Sequence, residues 1–235
     1  MSETVVIRVH SPVELDKALR DNAIGTGRPV LSCVGGAAGI ADQDLATLAE
    51  LLRARLIPAI DGSAVTIVDG GTDAGIMRLI GQARAATGGS FQLIGVAAEG
   101  TVHPPESPQP SPDDAVEIEP NHTHIVLVPG ESWGDETPWL SAVTGAIAAG
   151  MPSATLVING GSITFNDARA SLDAQRPLIV LAGSGRAADE IADARAGKPA
   201  GAQALDIAGS QLTTIVSMRD PDAVLNAIER ALASA

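Results

Sequence analysis

The segment Val65–Ala86 constrains the fold more than any other stretch of the chain. It begins with the β-branched run Val65–Val68, which is typical of a strand buried on both faces. The glycine-rich stretch Asp69–Gly75 ends this run, and apolar residues then recur at helical spacing, so a helix is predicted to start near Thr72 or Asp73. A strand that passes through glycines into a helix is the building unit of a parallel α/β sheet.

The same unit recurs along the chain. The predicted strands are Val5–Ile7, Pro29–Val34, Val65–Val68, Phe91–Val96, Ile125–Val128, Ala154–Ile158, Pro177–Leu181 and Thr213–Val216. Helical patterns separate most of them, and nearly all are uniformly apolar, which is typical of a parallel sheet covered on both faces. We therefore predict one α/β domain over residues 1–235, with a Rossmann-like, doubly wound, mostly parallel sheet and helices on both faces. The first strand is expected at an edge of this sheet.

Glycine-rich turns follow four of the predicted strands. In a parallel sheet these turns share one edge, where helix N-termini present free N–H groups to anions. The predicted ligand or phosphate contacts are Gly35, Gly36, Gly70, Gly71, Thr72, Gly75, Gly160, Gly161, Gly183, Ser184, Gly185 and Arg186. We expect Gly70–Thr72 and Gly183–Arg186 to face each other and to share one phosphate-bearing ligand.

Charged and hydroxyl side chains in these turns allow two interpretations each. Arg186 at a helix N-terminus opposes the helix dipole unless it binds an anion, and the alternative is a solvated or salt-bridged arginine. Asp189 either neutralises that dipole or stabilises an oxocarbenium ion during glycoside cleavage. Thr72 and Asp73 are both explained by helix capping, and the Thr72 hydroxyl is also a candidate phosphate ligand.

Four further side chains are candidate ligand contacts, namely Asp69, Glu99, His122 and Trp133. Asp69 would hold a ribose hydroxyl or Mg²⁺, or would repel phosphate. Glu99 either lines the pocket or caps a turn, and Trp133 would cover an adenine ring. His122 and His124 are too few for a metal site and are better interpreted as anchoring residues. No metal site and no obligatory cofactor are predicted.

Composition narrows the classes of partner. The net charge of −13 and an aromatic content of 2% argue against nucleic acid and anionic membranes. Cys33 is the only cysteine, and the chain shows neither a signal peptide nor a membrane-spanning run, so a cytoplasmic location is expected. A homo-oligomer is compatible with these features. Repeated prolines predict a surface loop over about residues 101–120.

Several motifs together resemble a known family. They are VGGAAGI at Val34–Ile40, VDGGTDAGIM at Val68–Met77, IGVAAEG at Ile94–Gly100, PNHTHIVLV at Pro120–Val128, VINGG at Val157–Gly161 and LAGSGRAADEIA at Leu181–Ala192. From Pro29 to about Val216 the chain resembles the N-terminal cytosolic region of melastatin-type transient receptor potential channels. That region belongs to the Rossmann-like SLOG superfamily, and the chain resembles its free-standing prokaryotic form, named LSDAT. The resemblance implies a pocket for nucleotide-derived ligands such as ADP-ribose.

A more distant resemblance is to the LONELY GUY phosphoribohydrolases, whose signature is PGG-x-GT-x-x-E. Set against Gly183–Asp189, the signature's threonine falls on Arg186 and its glutamate on Asp189. The leading hypothesis is therefore a module that binds or senses a nucleotide derivative. The alternative is a hydrolase that cleaves the N-glycosidic bond of a nucleotide, with Asp189 or Glu190 as its carboxylate.

Overall fold

One parallel sheet of eight strands runs through the computed structural model of the protein, which describes residues 4–36, 38–103 and 115–233. Its strands are β1 (Val5–Arg8), β2 (Val30–Gly35), β3 (Thr66–Asp69), β4 (Leu93–Ala98), β7 (His124–Val128), β8 (Ser153–Ile158), β9 (Leu178–Ala182) and β10 (Thr213–Ser217). Two short strands, β5 (Val102–His103) and β6 (Val116–Glu117), form a separate parallel pair. The order β1-β7-β4-β3-β2-β8-β9-β10 places β1 at an edge, as the sequence predicts.

Helices cover both faces of this sheet. They are α1 (Pro12–Asp21), α2 (Asp42–Leu51), α3 (Ile57–Asp61), α4 (Gly75–Thr87), α5 (Thr137–Ala148), α6 (Ser162–Asp173), α7 (Arg186–Arg195), α8 (Ala202–Gly209) and α9 (Pro221–Leu232). A π-helical turn, Leu52–Leu56, joins α2 to α3. One apolar core lies under α1 and α5–α8, and a second lies under α2–α4 and α9. The predicted fold class is confirmed.

The direction of strand addition reverses between β2 and β8. From β2 the chain adds β3 and β4 on one side, whereas β8, β9 and β10 follow one another on the other side. In open α/β sheets the carboxyl ends of the strands at such a reversal leave a crevice in which ligands bind. The fold thus places a crevice where the glycine turns after β2 and β8 come together.

The start of α4 differs from the prediction. The helix begins at Gly75, with Ala74 as its N-cap, so the capping roles predicted for Thr72 and Asp73 are wrong. The physical reason is a competing partner. Thr72 forms an antiparallel bridge with Ile118, and the Asp73 N–H donates to the Glu117 carbonyl at 2.7 Å. These contacts hold the turn extended for two more residues before the helix starts.

The predicted proline-rich loop falls largely on residues 104–114, which lie outside the described residues. On either side of that gap the chain is regular, since β5 and β6 pair with each other. Within the described ranges, every helix is too short or too polar to cross a bilayer.

Candidate ligand-binding site

A cavity of about 270 Å³ opens at the carboxyl edge of the sheet. The ends of β2, β3 and β4 and the turn after β8 contribute Gly35, Gly70, Ala97 and Gly161 to its lining. The cavity therefore occupies the crevice at the reversal of strand order, where the sequence predicts a ligand site. Its volume is slightly below the range of about 300–1,000 Å³ that is typical of small-molecule pockets.

The N-terminus of α6 faces this cavity together with a cation. Gly161, Ser162 and Ile163 all line the cavity. The guanidinium of Arg186 lies over Gly161, where an added Cβ would be 3.0 Å from Nη2. No acceptor among the described residues takes a hydrogen bond from the Arg186 side chain. The positive end of a helix dipole thus meets a cation for which the described residues supply no acceptor, and this is the chemistry of an anion site.

The N-terminus of α7, in contrast, is already occupied. Its Ala187 and Ala188 N–H groups donate to the carbonyls of Gly160 and Asn159 at 3.2 and 3.1 Å. The Gly183 N–H donates to the Asp189 carboxylate at 2.6 Å. Of the four residues Gly183–Arg186, only Arg186 lines the cavity. Arg186 therefore reaches the site through its side chain, above the first turn of a different helix.

The carboxylates of the hydrolase alternative point away from the cavity. Asp189 accepts from Gly183, and Glu190 accepts from the Gly201 N–H at 2.9 Å. Neither residue lines the cavity. Asp189 lies in the first turn of α7, where the interpretation that it neutralises the helix dipole places it.

In the turn after β3, one residue packs against the sheet and two residues line the cavity. Gly71 has a φ of +66°, and a Cβ on it would lie 2.8 Å from the Cα of Gly95 on β4, so this position requires glycine. Gly70 and Thr72 line the cavity. Thr72 is 2% exposed, and its hydroxyl has no hydrogen-bond partner among the described residues. Since β2 and β8 lie between β3 and β9, Thr72 and Arg186 lie toward opposite ends of one cavity.

Behind this turn lies a buried chain of charged groups. The Nε2 atom of His122 is 2.8 Å from Asp69 Oδ1, and its Nδ1 atom is 2.8 Å from Glu119 Oε2. All three side chains are at most 1% exposed. Burial by itself would lower the pKa of His122, but the charges and hydrogen bonds of Asp69 and Glu119 outweigh it and raise that pKa to about 9. His122 and Asp69 thus face each other rather than the cavity.

The cavity also has an acidic wall, formed by Glu136 and Asp167, which are not among the residues predicted from the sequence. Thr137 Oγ1 donates to Asp167 Oδ1 at 2.5 Å, and both Asp167 and Glu136 line the cavity. Burial is the largest cause that raises the pKa of Asp167, to about 7; Thr137 opposes it and the Glu136 charge adds to it. Burial also raises the pKa of Glu136. These are the perturbed carboxyl groups that general acid–base chemistry uses.

The sequence held a signal for Asp167. Gly160, Gly161, Thr164 and Asp167 carry the glycine pair, the threonine and the acid of PGG-x-GT-x-x-E at the same spacing. Asn159 and Ile163 replace its proline and its third glycine. This segment matches the signature more closely than Gly183–Asp189 does, and it alone brings its acid to the cavity.

Of the remaining candidate residues Trp133, Glu99, Gly36 and Gly75, Trp133 alone lines the cavity. Trp133 is 38% exposed and lines the cavity. Glu99 pairs with Arg8 at 2.9 Å and does not line the cavity. Gly36 follows β2, and Gly75 opens α4. Within the described ranges, no three His, Cys, Asp or Glu side chains converge as a metal site requires.

Comparison with known proteins adds an independent finding. The model of the LSDAT family described as "SLOG in TRPM, prokaryote" matches residues 28–226. Transient receptor potential cation channel subfamily M member-like 2 of Nematostella vectensis is 28% identical over 198 residues, which are 69% of this chain and 13% of that protein. Subfamily M member 2 of Mus musculus is 25% identical over 179 residues, 62% of this chain and 12% of that protein. The chain thus spans about an eighth of the length of these relatives.

Proposed function

The chain belongs to the prokaryotic LSDAT family, SLOG in TRPM, and from this premise we propose that it binds a nucleotide-derived ligand in the cavity at the carboxyl edge of its sheet. The phosphate of that ligand lies between Arg186 and the first turn of α6. ADP-ribose, NAD-related compounds and other nucleotides are the candidate ligands. Cytoplasmic residence and the absence of nucleic acid partners stay predictions from charge and cysteine content.

One observation carries this proposal. The Arg186 guanidinium lies over Gly161, at the N-terminus of a 12-residue helix, without an acceptor among the described residues. A cation and free amides that face one cavity would bind a phosphate through charge-assisted hydrogen bonds, which are about twice as strong as neutral ones. Trp133 at the edge of the same cavity offers an aromatic face to a base.

A ligand panel tests the proposal. Thermal unfolding is measured with AMP, ADP-ribose, NAD and cyclic AMP, each at millimolar concentration. A ligand that binds only the folded state raises the apparent stability by mass action, by about 2.7 kcal/mol at a hundredfold excess over Kd. We expect at least one nucleotide to raise the melting temperature, and isothermal titration calorimetry then gives its Kd. No shift with any member of the panel would contradict the proposal.

The acidic wall favours one second candidate, hydrolysis of an N-glycosidic bond. The Asp167 carboxyl, whose pKa is raised to about 7, would protonate the leaving base while water adds to the sugar C1′. Glu136 on the same wall would take the proton of that water. Incubation with AMP followed by chromatography tests this, with free adenine and ribose 5-phosphate as the expected products. Asp167→Asn should abolish turnover and Asp189→Asn should not; the reverse pattern would return the role to Asp189.

A further inference from the structure

We propose that Glu119 and His122 are positioning residues, which hold the turn Asp69–Asp73 in the conformation that lines the cavity. The expected effect on ligand affinity rests on the proposed function, whereas the positioning role itself does not. His122 does not line the cavity, and its side chain is fully buried. Its effect must therefore pass through the turn.

The segment Val116–His122, called the strap here, is joined to the turn along its length. The Asp73 N–H donates to the Glu117 carbonyl at 2.7 Å, and the Glu119 N–H donates to the Gly71 carbonyl at 3.0 Å. Ile118 bridges Thr72 between these two bonds. The strap thus pairs with the turn as a short antiparallel strand and sets where Thr72 lies.

The buried charges fix this pairing at one register. The Glu119 carboxylate accepts from the Asn121 N–H at 2.8 Å and from His122 Nδ1 at 2.8 Å. It packs against Gly81 of α4, where any side chain would overlap it. Asp69 Oδ1 accepts both from His122 Nε2 and from the Gly71 N–H, each at 2.8 Å. A slip of the strap would separate these buried charges, and a buried charge without its partner is strongly unfavourable.

The arrangement reaches the cavity through Thr72. The strap and β3 hold the turn from behind, while Thr72, which is 2% exposed and whose buried hydroxyl has no partner among the described residues, lines the cavity. A buried hydroxyl left without a hydrogen bond is unfavourable, so a ligand group that bonds to it regains that cost. The buried contacts of Asp69, Glu119 and His122 therefore hold the Thr72 hydroxyl at a fixed position.

Amide hydrogen exchange of the ligand-free protein tests the positioning role. In His122→Asn, the peptide covering residues 69–76 should exchange roughly tenfold faster or more, because the buried pair that fixes it is lost. Peptides from β10 and α9, on the far side of the sheet, should exchange as in the wild type. His124→Asn is the matched control, since His124 contacts Thr123 Oγ1 and the Asn22 carbonyl rather than the network. In His124→Asn, the amides of residues 69–76 should exchange at the wild-type rate.

Equal acceleration in all peptides, or none in residues 69–76, would overturn the proposal. Should His122→Asn fail to fold, Glu119→Gln keeps the shape of the side chain and removes only its charge, and the same local acceleration is expected.

The ligand arm uses AMP as its probe and a double-mutant cycle. His122→Asn and Thr72→Val should each weaken AMP binding. The double variant should bind AMP no more weakly than the single variant with the larger loss of affinity. The losses of AMP affinity in His122→Asn and Arg186→Ala should instead add. If the losses in His122→Asn and Thr72→Val also add, the effect of His122 does not pass through Thr72. If the wild type binds no nucleotide, the proposed function fails, while the exchange experiment still decides the positioning role.

Discussion

The guanidinium of Arg186 lies over Gly161, so the first residue of α7 covers the N-terminus of the neighbouring helix α6. The backbone makes this reach possible, because Arg186 has a φ of +45° and Gly185 a φ of +103°. A left-handed arginine is strained, and strain of this kind is kept where the surrounding structure enforces it, often at ligand sites. The relationship gives the cavity its cationic end and underlies the first prediction.

Replacing Arg186 by alanine should weaken phosphate-bearing ligands selectively. A hydrogen bond to a charged group contributes about 1.5–3 kcal/mol, so the Kd of AMP should rise roughly tenfold or more, while adenosine should be hardly affected. Isothermal titration calorimetry of both ligands measures this. Arg20→Ala, at an exposed arginine on α1, is the control and should change neither Kd. Equal losses for AMP and adenosine would mean that Arg186 supports the fold instead.

Binding of a phosphodiester should weaken as the pH rises through 7. The pKa of Asp167 is raised from 3.8 to about 7, so its carboxyl ionises there and places a negative charge on the cavity wall. Cyclic AMP and ADP-ribose are suitable probes, because they lack the second ionisation of a phosphomonoester, whose pKa is about 6. Titration calorimetry at about pH 6 and about pH 8 should show a several-fold loss of affinity in the wild type. Asp167→Asn should remove this dependence, and a persistent slope in the variant would assign it to another group.

Alkaline pH should destabilise the fold through His122. Its pKa is raised from 6.5 to about 9, so its stabilising effect is complete below pH 6.5 and is lost as the pH rises through 9. Urea unfolding across this interval should show the free energy of unfolding falling by roughly 1.4 kcal/mol per pH unit. Burial also raises the pKa of the Cys33 thiol, which acts in the same direction at higher pH. The contribution of His122 is therefore the difference between the pH dependence of the free energy of unfolding in the wild type and in His122→Asn. If the two proteins show the same pH dependence, the slope does not come from His122.

Thr72→Val should stabilise the free protein and weaken ligand binding. The substitution keeps the shape of the side chain and removes a buried hydroxyl that has no partner in the part of the chain that the structure describes. This should raise the free energy of unfolding by about 1 kcal/mol. Thr66→Val is a matched control, because Thr66 Oγ1 is also buried with no partner within the described ranges, whereas Thr66 does not line the cavity. Chemical unfolding should show a gain in both variants, and calorimetry should show weaker AMP binding only in Thr72→Val. A loss of AMP affinity in both would indicate an effect through the sheet.

Local patterns in the sequence determined the secondary structure and the class of fold. Strands such as Val65–Val68 and Ile125–Val128 are predicted to within a few residues, because a run of buried apolar side chains and the glycines that end it are properties of neighbouring residues. The same patterns place the glycine turns at one edge of a parallel sheet. Glu136 lies in a polar stretch without such a pattern. Asp167 fits the acid of PGG-x-GT-x-x-E only when the signature is placed on Gly160–Asp167, so neither residue is among the predicted contacts.

Tertiary structure alone decided which of these groups meet. The contact between Asp69 and His122 joins residues 53 positions apart, and the strap changes the start of α4 by taking Thr72 and Asp73 into a strand pairing. The carbonyls of Asn159 and Gly160, after β8, accept hydrogen bonds from the first N–H groups of α7. The candidate phosphate site therefore lies at the N-terminus of α6 instead. Burial and hydrogen-bond partners depend on segments that are distant in the chain, and the order of the strands sets those distances. The sequence by itself therefore determined the sheet and its ligand edge, while the packed fold decided which amides stay free and which carboxyl groups hold a proton.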